Sequence, residues 1–444
     1  MCCWHTTTTK RSARHGHQQT LAARWPSQSP HLGRQPKLLR ATEDDRPPAE
    51  ERSEQPEAST SEPVNLQLPP AVVSRLRDTV FGIDSFFVTS VENYQANGVL
   101  FKGNLRGKDP AKAYSIIARR LKEQLGSDYS LFLLEDQESK PVAVVIPTSA
   151  VEEPVAALPE GLLAVLFALA ATLTTLNANG VSFLQPDQLD LSTASLLAAA
   201  PGTAAFFLLL VAHEVGHRYA AQKRGVQLSL PFFIPAGLGL LGSFGAITRF
   251  KGTLPNREVL LEVAAYGPLF GAAASALCVV VGLALSSAGI GGVPVEPQAF
   301  QDSFVLGLLG EAFLGGKLAT QQTVSLSPLL LAGWAGLIAN ALNAIPVGEL
   351  DGGRIAHGLW GRRAAGRIST VTLLLLGICG VFDTVALYWL LLVLFLQRGP
   401  IVPQQEELSP PAEGLKPLGI ALLFLPLLIL LPFPFSVAPS FDQF

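Results

Sequence analysis

The chain has 444 residues, of which 49% are apolar and only 15% charged, and its formal net charge is −3. That balance is too hydrophobic for an ordinary soluble protein and offers no basic surface for nucleic acid, so the partner to expect is the lipid bilayer, with oligomeric state left open. Of the four cysteines, Cys2 and Cys3 open the chain while Cys278 and Cys379 sit far apart in apolar runs, which is neither a disulfide framework nor a CxxC metal clip and argues against redox chemistry.

Residues 1–42 carry seven Lys or Arg and no Asp or Glu, the composition of an organelle transit peptide; a disordered basic tail is the alternative. Removal of this segment takes four of the seven histidines and leaves His213, His217 and His357. Residues 43–63 turn to Pro, Ser and acidic side chains and read as a disordered acidic linker. Residues 64–155 predict a small soluble α/β domain, with strands at Phe86–Val88, Val99–Phe101, Leu131–Leu134 and Val142–Ile146 and an amphipathic helix near Pro110–Leu125. Within it, Gly103-Asn104-Leu105-Arg106-Gly107 predicts a turn between strand and helix.

From 159 to 435 the apolar segments lengthen towards the ~20 residues that cross a hydrocarbon core, which predicts a mainly α, polytopic membrane protein with about seven transmembrane helices, within a range of six to eight. The spans fall near 161–178, 203–221, 259–285, 328–347, 367–380, 382–397 and 417–433, the two around 380 forming either a short hairpin or one broken span. Leu228–Ile247 is apolar but carries Pro231, Pro235 and several glycines, so it predicts a re-entrant hairpin buried against protein. Lys and Arg cluster after the second and fourth spans, whereas the loops 179–202 and 286–327 hold Lys317 alone. This places the N-terminal domain on the positive side, the stroma or its equivalent.

The chemistry is concentrated in His213-Glu214-Val215-Gly216-His217, inside an apolar run. Two imidazoles four residues apart project from one helix face at the spacing of two ligands to a tetrahedral Zn²⁺, and Glu214 between them is placed to act as general base on a water. Ionisable groups inside a span cost ~3 kcal/mol or more each on insertion scales, so a triplet of them marks function more often than packing. Asp351, in Leu350-Asp351-Gly352-Gly353 at the end of another apolar run, is the best third ligand for one Zn²⁺ per chain. Asn343 near the end of that run reads either as a donor to a developing oxyanion or as interhelical glue. Glu258 and Glu262 are accounted for by the N-terminus of their helix, Glu349 reads as solvated, and His357 reads as an interfacial side chain.

These residues resemble those of the site-2 proteases, intramembrane zinc metalloproteases. The carrying motifs are HEVGH on one span, Gly267-Pro268-Leu269-Phe270-Gly271 on the next, and Asn343-x-x-Pro346 followed by Leu-Asp-Gly-Gly on a third. Gly-Asn-Leu-Arg-Gly at 103–107 and the stretches Pro231-Phe-Phe-Ile-Pro235 and Gly242-Ser-Phe-Gly-Ala-Ile247 are similar to the plastid EGY branch. The resemblance covers roughly residues 80–400 and implies His213, His217 and Asp351 as zinc ligands, Glu214 as base, and Asn343 as a substrate or oxyanion contact. Gly348 stands where many relatives have a second proline. The activity implied is hydrolysis of peptide bonds of membrane-protein substrates in a plastid membrane. The rival readings are a non-proteolytic membrane chaperone or assembly factor that keeps the metal for structure, and a metal transporter, against which the one-sided grouping of ionisable residues speaks.

Overall fold

The computed structural model describes residues 68–94, 98–136, 138–151, 159–182, 190–396 and 403–434. The segments expected to be a transit peptide (1–42) and an acidic linker (43–63) lie outside these residues.

After a short helix α1 (Pro70–Arg75), the chain makes strands β1 (Phe86–Tyr94) and β2 (Gly98–Leu105), helix α2 (Pro110–Leu125), and strands β3 (Tyr129–Glu135) and β4 (Pro141–Pro147). The strands form one antiparallel sheet in the order β1-β2-β4-β3. Helix α2 begins where its sequence says it should: the Asp109 carboxylate accepts from the Lys112 N–H at 3.1 Å and Pro110 holds the first turn. Its Ala113, Ile117 and Leu121, spaced one turn apart, are buried on the sheet among Leu76, Phe86, Phe101 and Leu133. The predicted turn at 103–107 is corrected in its first half. Gly103 to Leu105 continue β2 opposite Phe86 to Val88, and a Cβ on Gly103 would sit 2.1 Å from the Phe87 carbonyl oxygen, so glycine is needed for strand approach.

The remainder is helical, interrupted by short strands. In order come α3 (Glu160–Ala178), α4 (Thr193–Arg224), β5 (Gln227–Leu228), β6 (Phe232–Leu238), β7 (Leu241–Ile247), β8 (Phe250–Lys251) and α5 (Arg257–Ser287). Then follow β9 (Val293–Val295), α6 (Phe304–Thr320), β10 (Val324–Leu326), α7 (Pro328–Asn343), α8 (Asp351–Gly380), α9 (Thr384–Leu396) and α10 (Lys416–Leu430). Among the described residues, α3, α4, α5, α8 and the stretch 413–430 are long and apolar enough to cross a membrane, and α7 and α9 are shorter apolar helices.

Three expectations change. The second span starts at Thr193, capped by Ser192, and absorbs ten residues expected in a loop; Pro201 is carried inside it. The loop expected over 286–327 contains α6, whose Leu306, Leu314 and Leu318 pack with Phe300, Val324 and Leu326. Finally, the residues before the fifth span are helical, so that 351–380 is two consecutive helical rods, taken together as α8. It breaks at Gly361, whose φ of 82° is left-handed, so a ten-residue inner rod and a longer outer rod meet there. The segment expected to be re-entrant contains a two-stranded hairpin, β6 with β7. Helix α3 covers it, with the Thr174 hydroxyl donating to Gly242 O at 2.5 Å.

Candidate metal centre

Helices α4, α5, α7 and α8 supply the centre. His213, Glu214 and His217 lie in the C-terminal half of α4, and each is less than a tenth exposed. Close helix approach permits this. Gly216 of α4 leaves room for the Tyr266 carbonyl of α5, which an added Cβ would meet at 2.1 Å, and Gly267 leaves room for the His217 ring, whose Nε2 such a Cβ would meet at 2.2 Å. Gly271, one turn later, makes space for Asn340 of α7 at 2.3 Å. The small residues of the Gly-Pro-Leu-Phe-Gly motif are therefore a steric mould for the site.

His213 Nε2 and His217 Nε2 stand 3.0 Å apart, and Asp351 Oδ2, on the first residue of α8, lies 3.1 Å from the former and 3.3 Å from the latter. One ligand atom from each of the three side chains falls within 4.8 Å of the others. The outer nitrogens fix the proton positions. His217 Nδ1 is 2.8 Å from the Val263 carbonyl oxygen, and His213 Nδ1 is 2.8 Å from Asn340 Oδ1, whose own amide N–H donates to Gly336 O. In the neutral rings both Nδ1 atoms thus carry the proton, which leaves both Nε2 atoms with bare lone pairs facing each other and a carboxylate. Three buried acceptors with no donor between them repel unless a cation sits among them. Two imidazole nitrogens and one carboxylate are also the donor set that suits catalytic Zn²⁺ with a position left open, so the residues fit that ion.

Glu214 lies beside this group. Its Oε2 accepts from the Thr248 hydroxyl at 2.7 Å, and its Oε1 pairs with Arg218 Nε at 2.7 Å. Thr248 stands just past the hairpin, and its carbonyl accepts from Arg354 of α8, so the hairpin, Glu214 and helix α8 are joined through one residue. Thr248 and Asn340 were not among the residues singled out from sequence. Asn340 could have been found as a second amide one turn before Asn343 in an apolar run, whereas Thr248 carries no such signal.

Asn343 donates one N–H to Phe244 O of β7 at 2.8 Å and the other to Ala339 O at 2.9 Å. Both protons are engaged with backbone, which ties α7 to the hairpin as the glue reading expects. His357 is corrected: instead of lying at an interface it is fully buried, 3.6 Å from Glu407. Glu262 is buried too, paired with Lys223 at 2.8 Å and with Arg224, so it clamps α4 to α5. Glu349 is partly exposed and pairs with Arg354 at 3.2 Å.

Comparison with known proteins agrees with this geometry. Residues 201–379 match peptidase family M50, and residues 74–154 match the EGY3 middle domain. A chloroplastic protein named probable zinc metalloprotease EGY2 from Oryza sativa subsp. indica is 42% identical over 383 residues, 85% of this chain and 69% of that protein. Its namesake from Arabidopsis thaliana is 44% identical over 375 residues, 84% of this chain and 66% of that protein. Probable zinc metalloprotease EGY1 from Arabidopsis thaliana is 36% identical over 396 residues, 81% of this chain and 71% of that protein. The chain therefore spans about two thirds of the length of these relatives. No solved structure matches. Family match, identity and the His-His-Asp group lead to one assignment: the chain belongs to peptidase family M50, the site-2 proteases, in the chloroplastic EGY branch of zinc metalloproteases.

Proposed function

We propose that this protein is an intramembrane zinc metalloendopeptidase that hydrolyses peptide bonds of membrane-protein segments in the thylakoid. In this reading residues 1–42 direct import and are removed, seven helices cross the bilayer (α3, α4, α5, α7, α8, α9 and α10), and the 64–155 domain faces the stroma. The observation that carries it is the convergence of His213, His217 and Asp351 beside Glu214.

His213, His217 and Asp351 would hold the ion. Zn²⁺, when bound, supplies Lewis acidity that polarises the scissile carbonyl and makes water acidic enough to attack near neutral pH. Glu214 takes a proton from the attacking water and returns one to the leaving amine. Thr248 and Arg218 hold that carboxylate at a fixed angle while it does so. The β6–β7 hairpin supports access by an extended chain: a helical substrate hides its peptide bonds, and a locally unwound segment can add as a strand to a hairpin edge. Asn343, now bonded to Phe244 O, becomes a substrate or oxyanion contact if that carbonyl takes a new partner.

The test is cleavage of candidate membrane substrates by purified wild type and Glu214→Gln, with zinc content measured in parallel. A fall of about 10²–10⁴ in turnover at full zinc occupancy is expected. Equal cleavage by both proteins, or restoration of function by Glu214→Gln in cells lacking the wild type, rules out the protease reading in favour of a chaperone with a structural metal.

A further inference from the structure

The segment between α9 and α10 carries Gln404-Gln405-Glu406-Glu407, residue types that are mostly exposed in folded proteins. Gln404, Glu406 and Glu407 are nevertheless buried. The segment is a strap with backbone partners on both sides. Towards the N-terminal sheet, the Leu133 N–H donates to Gln405 O at 2.8 Å and the Glu407 N–H donates to Leu133 O at 3.0 Å, which covers the outer edge of β3. Towards the membrane helices, the Gln405 N–H donates to Leu254 O at 2.8 Å and the Glu406 N–H donates to Pro255 O at 3.0 Å, directly before α5.

The side chains carry the strap on to α8. Arg362 donates to both Glu407 carboxylate oxygens, at 3.1 and 2.5 Å, and His357 Nε2 stands 3.6 Å away. Burial pushes the Glu407 carboxyl up, but His357 and Arg362 outweigh it and hold the group down at about 2. Arg257, the first residue of α5, donates to Gly358 O and Leu359 O, both at 3.3 Å, and to Glu407 O at 3.2 Å. Gly358 and Leu359 belong to the last turn of the inner rod of α8, where the break at Gly361 leaves carbonyls without helical partners and a cation is favoured. The rod is thus gripped at its far end by α5, by the strap and, through the strap, by the N-terminal sheet. At ~1.5 Å per residue, its first residue, Asp351, is only ~9 Å along the axis from His357.

We propose that Glu407 is a positioning residue of the metal centre: the N-terminal α/β domain docks through the 404–407 strap onto the inner rod of α8, and this brace holds Asp351 at ligand distance from His213 and His217. The proposal rests on Asp351 being a ligand. It gives the N-terminal domain a role in metal retention, apart from any part in substrate choice.

Zinc-loaded full-length protein in detergent tests it, by the rate of zinc release to excess EDTA, by the visible absorption of the cobalt(II)-substituted protein, and by hydrogen exchange. Asp351→Asn serves as control and must speed release; a wild-type rate there removes Asp351 as ligand and the proposal with it. With that control satisfied, Glu407→Gln and Arg362→Gln are each expected to speed release roughly tenfold, to shift the cobalt spectrum, and to raise exchange in 351–360. The double variant should be no faster than the faster single, since one link is cut twice. Wild-type release and spectrum in Glu407→Gln overturn the proposal. Should that variant fail to fold, Arg362→Gln, which removes a half-exposed partner from the same link, decides on the same readouts.

Discussion

The N-terminal α/β domain and the helices around the metal group solve packing in opposite ways. In the domain, large side chains such as Phe86, Phe101, Ile117 and Leu133 are fully buried and charges stand outside, because water is the solvent. In the helical part, Leu208, Leu277 and Leu374 are about two thirds exposed, while His213, Glu214, His217, Asn340 and Asp351 are inside. Hydrophobic burial drives the first. The second relies on glycine-permitted contact and hydrogen bonds, since lipid is as apolar as leucine and rewards neither side. A single chain therefore has one region in which volume is critical and another in which polar partners are.

Substitutions can break or sharpen that contrast. The largest effect is expected from Phe101→Ala, which should cost the N-terminal domain about 3–5 kcal/mol in a chemical denaturation series, whereas Leu208→Ala on the outer face of α4 should leave unfolding nearly unchanged. An equal cost at both positions would abolish the distinction. Next comes Asn340→Leu, which keeps volume but removes the acceptor from His213 Nδ1; zinc affinity should fall about 10–100-fold in a chelator competition with little loss of helix content. A smaller effect concerns alkali. Burial, with Glu406 nearby, raises the Tyr114 phenol to about 12. An unfolded tyrosine ionises near ~10, so between the two values the unfolded state sheds a proton that the folded state keeps, and stability falls as pH rises by at most ~1.4 kcal/mol per pH unit. Tyr114→Phe should flatten that slope, measured as denaturation midpoints from pH 9 to 11.

Much of both regions is legible in the residues. The apolar face of α2 and the alternation of the strands define the domain, and segment lengths with Pro and Gly breaks define α3, α5, α7 and the hairpin. HEVGH and Leu-Asp-Gly-Gly name the three side chains that converge. What the sequence conceals has a common physical cause, long-range partnership. The burial of His357 depends on Glu407, fifty residues on, and the strap finds its backbone partners in Leu133 and Leu254, both more than a hundred residues away in sequence. Helix α6 is hidden because Gly315, Gly316, Glu311 and Lys317 interrupt a run shorter than a span; its packing on α5 and α7 residues overrides that local weakness. Asn343 stands in the legible motif, while the neighbouring Asn340 makes the contact to His213.

The break at Gly361 divides α8 into two bodies with different obligations. Bilayers vary in thickness with composition, and a helix whose apolar length does not match tilts to accommodate the difference. In an unbroken helix of thirty residues that tilt would sweep its first residue sideways. Here the outer rod can follow the lipid while the inner rod stays pinned by Arg257, so the depth of the surrounding membrane can change without dragging Asp351 out of register with the two histidines.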